Sequence, residues 1–197
     1  MNSGARRGSL GPMPRIDFAV PVTEGYDPDA ALNDHVDAQV RAILEHRPAA
    51  LKAYLEYRAA LVSEGTLSPK LIELVRLRIA FHNQCRSCMA MRYQPDAISE
   101  GMVCSLEQPE EADDLTDAEK AALNFADLFV NNHFAIDDAV YDRLREHYDE
   151  GELVELGLHC AAMLGTGRLA ATWAVVEGLP EDLRDAKTPW RSPAPAA

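Results

Sequence analysis

Apolar residues recur every three or four positions along most of the chain, which is the spacing of one face of an α-helix. Two such stripes are Leu71, Leu74, Val75 and Ile79, and Leu153, Leu156, Cys160 and Leu164. The alternation of apolar and polar residues that is typical of a β-strand is not convincing anywhere in the sequence. The pattern therefore predicts an all-α fold.

Proline, glycine and capping residues indicate where the helices begin and end. Ser68-Pro69 marks a start, Asn83-Gln84 marks an end, and Thr116 with Glu119 has the spacing of a capping box. The predicted helices cover approximately residues 27–47, 48–65, 69–83, 85–95, 116–131, 137–148 and 152–176, with an acidic loop at 107–114.

The ends of the chain differ in composition from its middle. Residues 1–26 are rich in glycine and proline and lack helical periodicity, and residues 180–197 end in proline-alanine repeats. A chain of 197 residues can bury one sizeable core without splitting into two domains. We therefore predict an N-terminal arm (1–26), one helical domain (27–179) and a C-terminal tail (180–197).

The balance of charge limits the classes of partner. Nineteen Lys and Arg residues against 32 Asp and Glu residues give a formal net charge of −13. Such a charge repels nucleic-acid backbones and anionic lipid surfaces, so neither is expected as a partner. The sequence has neither an apolar run that could span a membrane nor an apolar stretch of the secretory-signal type near its start, and we predict a cytoplasmic protein.

Two of the four cysteines, Cys85 and Cys88, have C-x-x-C spacing at the predicted start of a helix. Helix N-termini stabilise thiolates, and one helical turn brings the two sulfur atoms close enough to form and reopen a disulfide. One cysteine would then attack a substrate and the other would resolve the product. Cys104 and Cys160 do not form a second close pair, which disfavours a zinc site, so no metal or cofactor is predicted.

Glu73 is a candidate proton acceptor for this pair. It precedes Cys85 by twelve positions, and a straight helix would place the two residues about 18 Å apart. If the chain instead reverses at Asn83-Gln84, Glu73 can face the segment that follows the cysteines.

The region around the cysteines has a distinctive pattern, which consists of Glu73, eleven intervening residues and the Cys85-x-x-Cys88 pair, together with the run RLRIAFHNQCRSC. This pattern resembles the AhpD-like alkylhydroperoxidase branch of the carboxymuconolactone decarboxylase superfamily. The resemblance implies an all-helical fold that assembles into homotrimers or homohexamers, and a thiol peroxidase or disulfide reductase that needs no metal or haem. It also implies that Cys88 meets the hydroperoxide, that Cys85 is its disulfide partner and that Glu73 belongs to a proton relay. A lipoylated or thioredoxin-like protein would supply the external dithiol.

The sequence departs from the family pattern where the relay usually ends in a histidine, because this chain has Arg92 there. Arginine keeps its proton at neutral pH and cannot shuttle it. Either Arg92 forms an ion pair with Glu73 and favours the thiolate by its charge, or the peroxidase function has been lost. His82 and Tyr93 are the candidates to replace the missing acid-base group.

Three functions remain open at this stage. The first is a thiol peroxidase that uses a Cys85-Cys88 redox pair. The second is a decarboxylase-type enzyme in which arginines bind a small acidic lactone, although that chemistry has no use for paired thiols. The third is a non-catalytic helical oligomer with a redox-sensing cysteine pair. We expect structural roles for Arg76, Arg78 and Trp173, and a solvated position for His133.

Overall fold

The computed structural model describes residues 14–22, 32–176, 178–179 and 184, and every regular element in these ranges is helical. The all-α prediction is confirmed. The α-helices are α1 (Leu32–Leu44), α2 (Pro48–Ser63), α3 (Pro69–Asn83), α4 (Arg86–Ala90), α5 (Glu100–Ser105), α6 (Asp117–Asn131), α7 (Asp138–Arg145) and α8 (Glu150–Trp173). Single 3-10 turns lie at Pro109–Glu111 and His133–Ala135.

The helix starts are stabilised by local side chains. The Ser68 hydroxyl accepts a hydrogen bond from the backbone N–H of Leu71, which caps α3. Thr116 and Glu119 form the predicted capping box at the start of α6, where the Thr116 side chain binds the Glu119 N–H and the Glu119 carboxylate binds the Thr116 N–H. These caps fix the first turns of two long helices that build the core.

Helix α3 lies at the centre of the larger core. Its residues Leu74, Val75, Leu77 and Ile79 are fully buried, and α3 packs against both α6 and α8. Burial on several faces explains why α3 carries apolar residues around most of its circumference. No helix in the described ranges combines the length and apolar character needed to cross a membrane.

A second, smaller apolar cluster lies beside the cysteines. Its buried members are Val36, Ile43, Met91, Val175 and Leu179, and partly buried residues including Phe18, Cys88 and Trp173 pack against it. The described piece of the N-terminal arm, residues 14–22, contacts the same region. The Arg15 N–H donates to the carbonyl of Trp173 (2.7 Å), and the Ala19 N–H donates to the carbonyl of Ala42 (2.9 Å).

The largest differences from the sequence prediction lie at α4 and α5, and α1, α7 and α8 each end about three residues earlier than predicted. Helix α4 ends at Ala90 instead of near Pro95, and α5 was not predicted. The early end has a tertiary cause, because the Asn33 side chain accepts from the Arg92 N–H (3.1 Å) and donates to the Arg92 carbonyl (2.6 Å). This side chain holds the backbone of Arg92 in place of helical partners. The predicted helix start at Asp27-Pro28 and most of both arms lie outside the described residues.

Candidate active site around Cys85 and Cys88

The chain reverses between α3 and α4 and runs back along α3. Gln84 adopts a left-handed conformation (φ 51°, ψ 34°), which ends α3 and redirects the backbone. Cys85 then caps α4, with its sulfur accepting from the Cys88 N–H (3.3 Å). As a result, the segment from Cys88 to Tyr93 lies beside the middle of α3.

Cys85 and Cys88 form a disulfide, with their Cα atoms 5.2 Å apart. The two residues differ in exposure. Cys85 is fully buried, whereas Cys88 is partly exposed and lines a cavity. The oxidised pair therefore presents one cysteine to the cavity and keeps the other behind it.

Glu73 and Arg76 form a buried ion pair beneath the cysteines. The Arg76 Nε and Nη2 donate to the two carboxylate oxygens of Glu73 (2.6 and 2.8 Å), and Glu73 is only 3% exposed. Arg76 also donates to the carbonyls of Cys88 (2.6 Å) and Met91 (2.9 Å), and the Tyr93 N–H donates to Glu73 (2.9 Å). The pair thus fastens the backbone that follows the disulfide onto α3.

The proposed ion pair between Arg92 and Glu73 is wrong. Arg92 donates through Nε and Nη2 to the Glu100 carboxylate (2.8 and 3.0 Å), and these hydrogen bonds lower the pKa of Glu100. Arg76 takes the Glu73 carboxylate instead, because it lies three positions away on the same helix. Arg92 also donates through Nη1 to the carbonyls of Met89 (2.6 Å) and Met91 (2.9 Å), so its hydrogen bonds go to partners other than Glu73.

The cavity beside Cys88 has a volume of about 530 Å³. It lies between α1, α2, α3 and α8, and its wall is mainly apolar. Apolar lining residues include Val36, Val40, Leu44, Leu51, Leu55, Met163 and Ala170, and the polar ones are Asp37, Arg41, Tyr54, Arg58, Ser63, Arg76, Asn83, Ser87, Tyr93 and Thr166. Such a site suits a small organic molecule with a polar end.

Residues 48–128 match the model of the carboxymuconolactone decarboxylase family. A solved structure with a TM-score of 0.60 and 25% identity is a protein of unknown function from Agrobacterium tumefaciens, named as a candidate antioxidant defence protein AhpD. The match covers 66% of this chain and 91% of that one. This segment of the chain therefore resembles the carboxymuconolactone decarboxylase family, and the fold resembles that of AhpD-like proteins.

A second AhpD-like structure has the same fold. It is an uncharacterized peroxidase-related protein from Ralstonia eutropha, described as an alkylhydroperoxidase AhpD core, with a TM-score of 0.59 and 20% identity. The match covers 76% of this chain and 80% of that one. No curated protein sequence matches the chain significantly.

Asp37 of α1 also belongs to the cavity wall, and it is not among the site residues predicted from the sequence. The Tyr93 hydroxyl donates to the Asp37 carboxylate, with 3.1 Å to each oxygen. Burial raises the pKa of Asp37, and burial together with the Asp37 charge raises the pKa of Tyr93. The sequence feature that could have indicated Asp37 is its position between Val36 and Val40, beside the buried face of α1.

His82 lies in a separate cluster and does not meet the cysteines. Its Nε2 is 2.7 Å from the Asp127 carboxylate of α6, which also accepts two hydrogen bonds from Arg78 (2.6 and 2.7 Å). Arg78 and His82 are four positions apart, so both point from α3 toward α6. Arg78 further donates to the carbonyl of Leu106, as the expected structural role requires.

The Asp127 cluster predicts an acid-sensitive contribution to stability. Burial acts to raise the pKa of Asp127, but hydrogen bonds from His82 and Arg78 outweigh it, so the pKa is lowered. The contribution is therefore present above the ordinary pKa of 3.8 and is lost as pH falls through the lowered value. We expect Asp127→Asn to cost about 2 kcal/mol near neutral pH and clearly less near pH 3. Urea unfolding at both pH values measures this difference.

The matched control for this variant is Asp142→Asn, which alters an exposed ion pair with Arg145. We expect its stability to follow the wild-type pH profile. A constant gap between the wild type and Asp127→Asn from neutral to acid pH would contradict the assignment of the lowered pKa to Asp127.

The remaining candidates lie away from the redox pair. His133 is exposed in the 3-10 turn after α6, and Trp173 packs against the smaller apolar cluster. Cys160 is buried, which raises its pKa to about 12, and Cys104 is exposed and free. Within the described ranges, no group of three His, Cys, Asp or Glu residues is placed to hold a metal ion.

Proposed function

We propose that this chain is a thiol-dependent peroxidase that reduces organic hydroperoxides through the Cys85-Cys88 pair. The observation that carries the proposal is the asymmetric placement of the pair, with Cys88 on the wall of a mainly apolar cavity and Cys85 fully buried behind it. An attacking thiol must reach substrate, whereas a resolving thiol need only reach its neighbour. The AhpD-like fold and the names of its structural relatives agree with this chemistry.

The reaction balances with the two thiols as the only reductant. The Cys88 thiolate attacks the terminal peroxide oxygen, the O–O bond breaks, and an alcohol leaves after the alkoxide takes a proton. Cys88 is then a sulfenic acid. The Cys85 thiol attacks its sulfur, the S–S bond forms, and water leaves. An external dithiol, which we expect on a lipoylated or thioredoxin-like protein, reduces the disulfide and is itself oxidised.

Arg76 is the cationic side chain beside Cys88, and it shares its charge with the Glu73 carboxylate. Arg76 is bonded to the Cys88 carbonyl and keeps a permanent positive charge at this end of the cavity. Cationic side chains near a cysteine stabilise the thiolate, which is the nucleophile. In this proposal Arg76 supports the nucleophile electrostatically, although it cannot relay protons as histidine does.

Thiol counting under single turnover tests the proposal. The reduced protein has four thiols, and we expect cumene hydroperoxide to remove two per chain while one equivalent of cumyl alcohol forms. The Cys104→Ser variant is the control, because Cys104 is free and exposed and is the thiol most open to side oxidation. It should lose the same two thiols. Intact thiols after prolonged exposure would contradict the proposal and leave the decarboxylase-type or non-catalytic alternatives.

Assembly into a homotrimer or homohexamer stays a prediction. Several apolar side chains are exposed on α2 and α8, which are long helices on the same side of the molecule. They are Tyr57, Val62, Val154, Leu158 and Leu169. The Tyr57 hydroxyl donates to the Leu158 carbonyl, so the two helices adjoin there, and apolar side chains exposed on neighbouring helices support self-association.

A further inference from the structure

The proposed peroxidase reaction needs a proton at the leaving oxygen, and three expected sources are occupied elsewhere. Glu73 is bound by Arg76 and by the Tyr93 N–H, and it does not belong to the cavity wall. Arg92 holds its charge and pairs with Glu100. His82 is bonded to Asp127 on the α6 side of α3. The proton must therefore come from another group on the cavity wall or from solvent.

Asp37 is the only carboxyl group among the described residues that line the cavity, and no histidine lies among them. Its side chain shares this wall with Cys88. The Tyr93 hydroxyl contacts both carboxylate oxygens and so fixes the plane of the group. Asp37 thus combines access to the cavity with a defined orientation.

The charged neighbours of Asp37 come from every side of the cavity. Arg58 of α2 and Arg41 of α1 favour the carboxylate, and Asp34 of α1 opposes it. Arg76 of α3 lies across the Tyr93 ring, 5.0 Å from its centroid. Burial outweighs the Tyr93 hydrogen bond and the two nearby arginines, so the pKa of Asp37 is raised and the carboxyl holds a proton more readily than an exposed aspartate does.

We propose that Asp37 is the catalytic acid of this site and donates its proton to the alkoxide that leaves when Cys88 attacks a hydroperoxide. This inference rests on the proposed peroxidase function. The Cys88 sulfur bonds to the terminal oxygen, the O–O bond breaks, and the alkoxide leaves as an alcohol with the Asp37 proton. The carboxylate then regains from solvent the proton that the Cys88 thiol released on ionising, so the step balances.

Tyr93 is a positioning residue in this scheme. Its raised pKa keeps the hydroxyl protonated, so it remains a hydrogen-bond donor to Asp37. The same residue donates its backbone N–H to Glu73, which ties the orientation of the acid to the buried ion pair. Because the hydrogen bond from the Tyr93 hydroxyl opposes protonation of Asp37, Tyr93→Phe should move the descending limb of the pH profile to higher pH.

The test compares two oxidants that differ in their leaving groups. Cumene hydroperoxide releases an alkoxide that needs a proton, whereas peroxyacetic acid releases acetate, which does not. We expect Asp37→Asn to slow single-turnover reduction of cumene hydroperoxide about 100-fold and to change the rate with peroxyacetic acid by less than about threefold. Asp37→Glu should recover part of the first rate. Asp142→Asn, which removes an exposed acid on α7 away from the cavity wall, is the matched control and should leave both rates unchanged.

The pH profile gives an independent readout. With cumene hydroperoxide the wild-type rate should fall as pH rises through the pKa of Asp37, and the Asn variant should lack this descending limb. Equal slowing with both oxidants, or no slowing, would overturn the role of Asp37 while leaving the peroxidase intact. A wild-type protein that consumes neither oxidant would instead refute the peroxidase function, and the acid role with it.

Discussion

Replacement of Cys88 by serine is expected to abolish hydroperoxide consumption, with a rate at least about 1,000-fold below that of the wild type. Cys88 lines the cavity and lies against Arg76, whereas Cys85 has no exposed surface. A serine hydroxyl at this position stays protonated and attacks peroxide oxygen poorly. Single-turnover measurements of alcohol formation by the reduced variant provide the test.

The contrasting variant, Cys85→Ser, should still react once. Its Cys88 would reach the sulfenic acid and stop there, because its disulfide partner is absent. One equivalent of alcohol per chain and a sulfenic acid that a dimedone-type reagent traps are the expected products. If Cys85→Ser is the inert variant and Cys88→Ser retains one turnover, the roles of the two cysteines are reversed.

Arg76→Met is expected to lower the free energy of unfolding by about 3–5 kcal/mol. The substitution leaves the Glu73 carboxylate buried without its ion-pair partner and removes the two hydrogen bonds that hold the carbonyls of Cys88 and Met91. The cost arises mainly from the stranded charge, because methionine fills much of the volume of the arginine stem. Urea unfolding of the oxidised protein measures it.

Two further variants test whether the unpaired buried charge causes this loss of stability. In Arg143→Met, an exposed ion pair with Glu110 is broken, and we expect a loss below about 1 kcal/mol. In the double variant Glu73→Gln with Arg76→Met, the buried charge is gone and much of the stability should return. If the double variant is as unstable as Arg76→Met alone, the stranded carboxylate is not the cause.

The helical pattern predicts most of the fold because its signals are local. Ser68-Pro69 and the Thr116–Glu119 capping box act within a single turn, and the structure has helix starts at both positions. The length of α4 could not be predicted in this way. It is set by Asn33, which lies 59 positions from Arg92 and binds its backbone.

Most residues of the candidate site could be predicted from the sequence, but the side chains that they contact could not. The chain does reverse after α3 and brings Glu73 beside the segment that follows the cysteines. An ion pair of Glu73 with Arg92 was one of two hypotheses, but Arg76 has the three-residue helical spacing that favours a pair and binds Glu73 instead. His82 is directed to α6 by the same periodicity that places Arg78 there. Asp37 could not be assigned to the site from the sequence, because its contact with Tyr93 spans 56 positions.

The cavity wall is built from two parts of the chain that can change independently in evolution. The segment that matches the family model, residues 48–128, carries both cysteines, Glu73 and Arg76. Helices α1 and α8 lie outside that segment and supply much of the opposite wall. Mutations there can reshape what enters the cavity while the redox pair and its ion pair stay intact. Homologues that share the cysteine motif can therefore diverge in the molecules that they bind while they keep the redox activity of the cysteine pair.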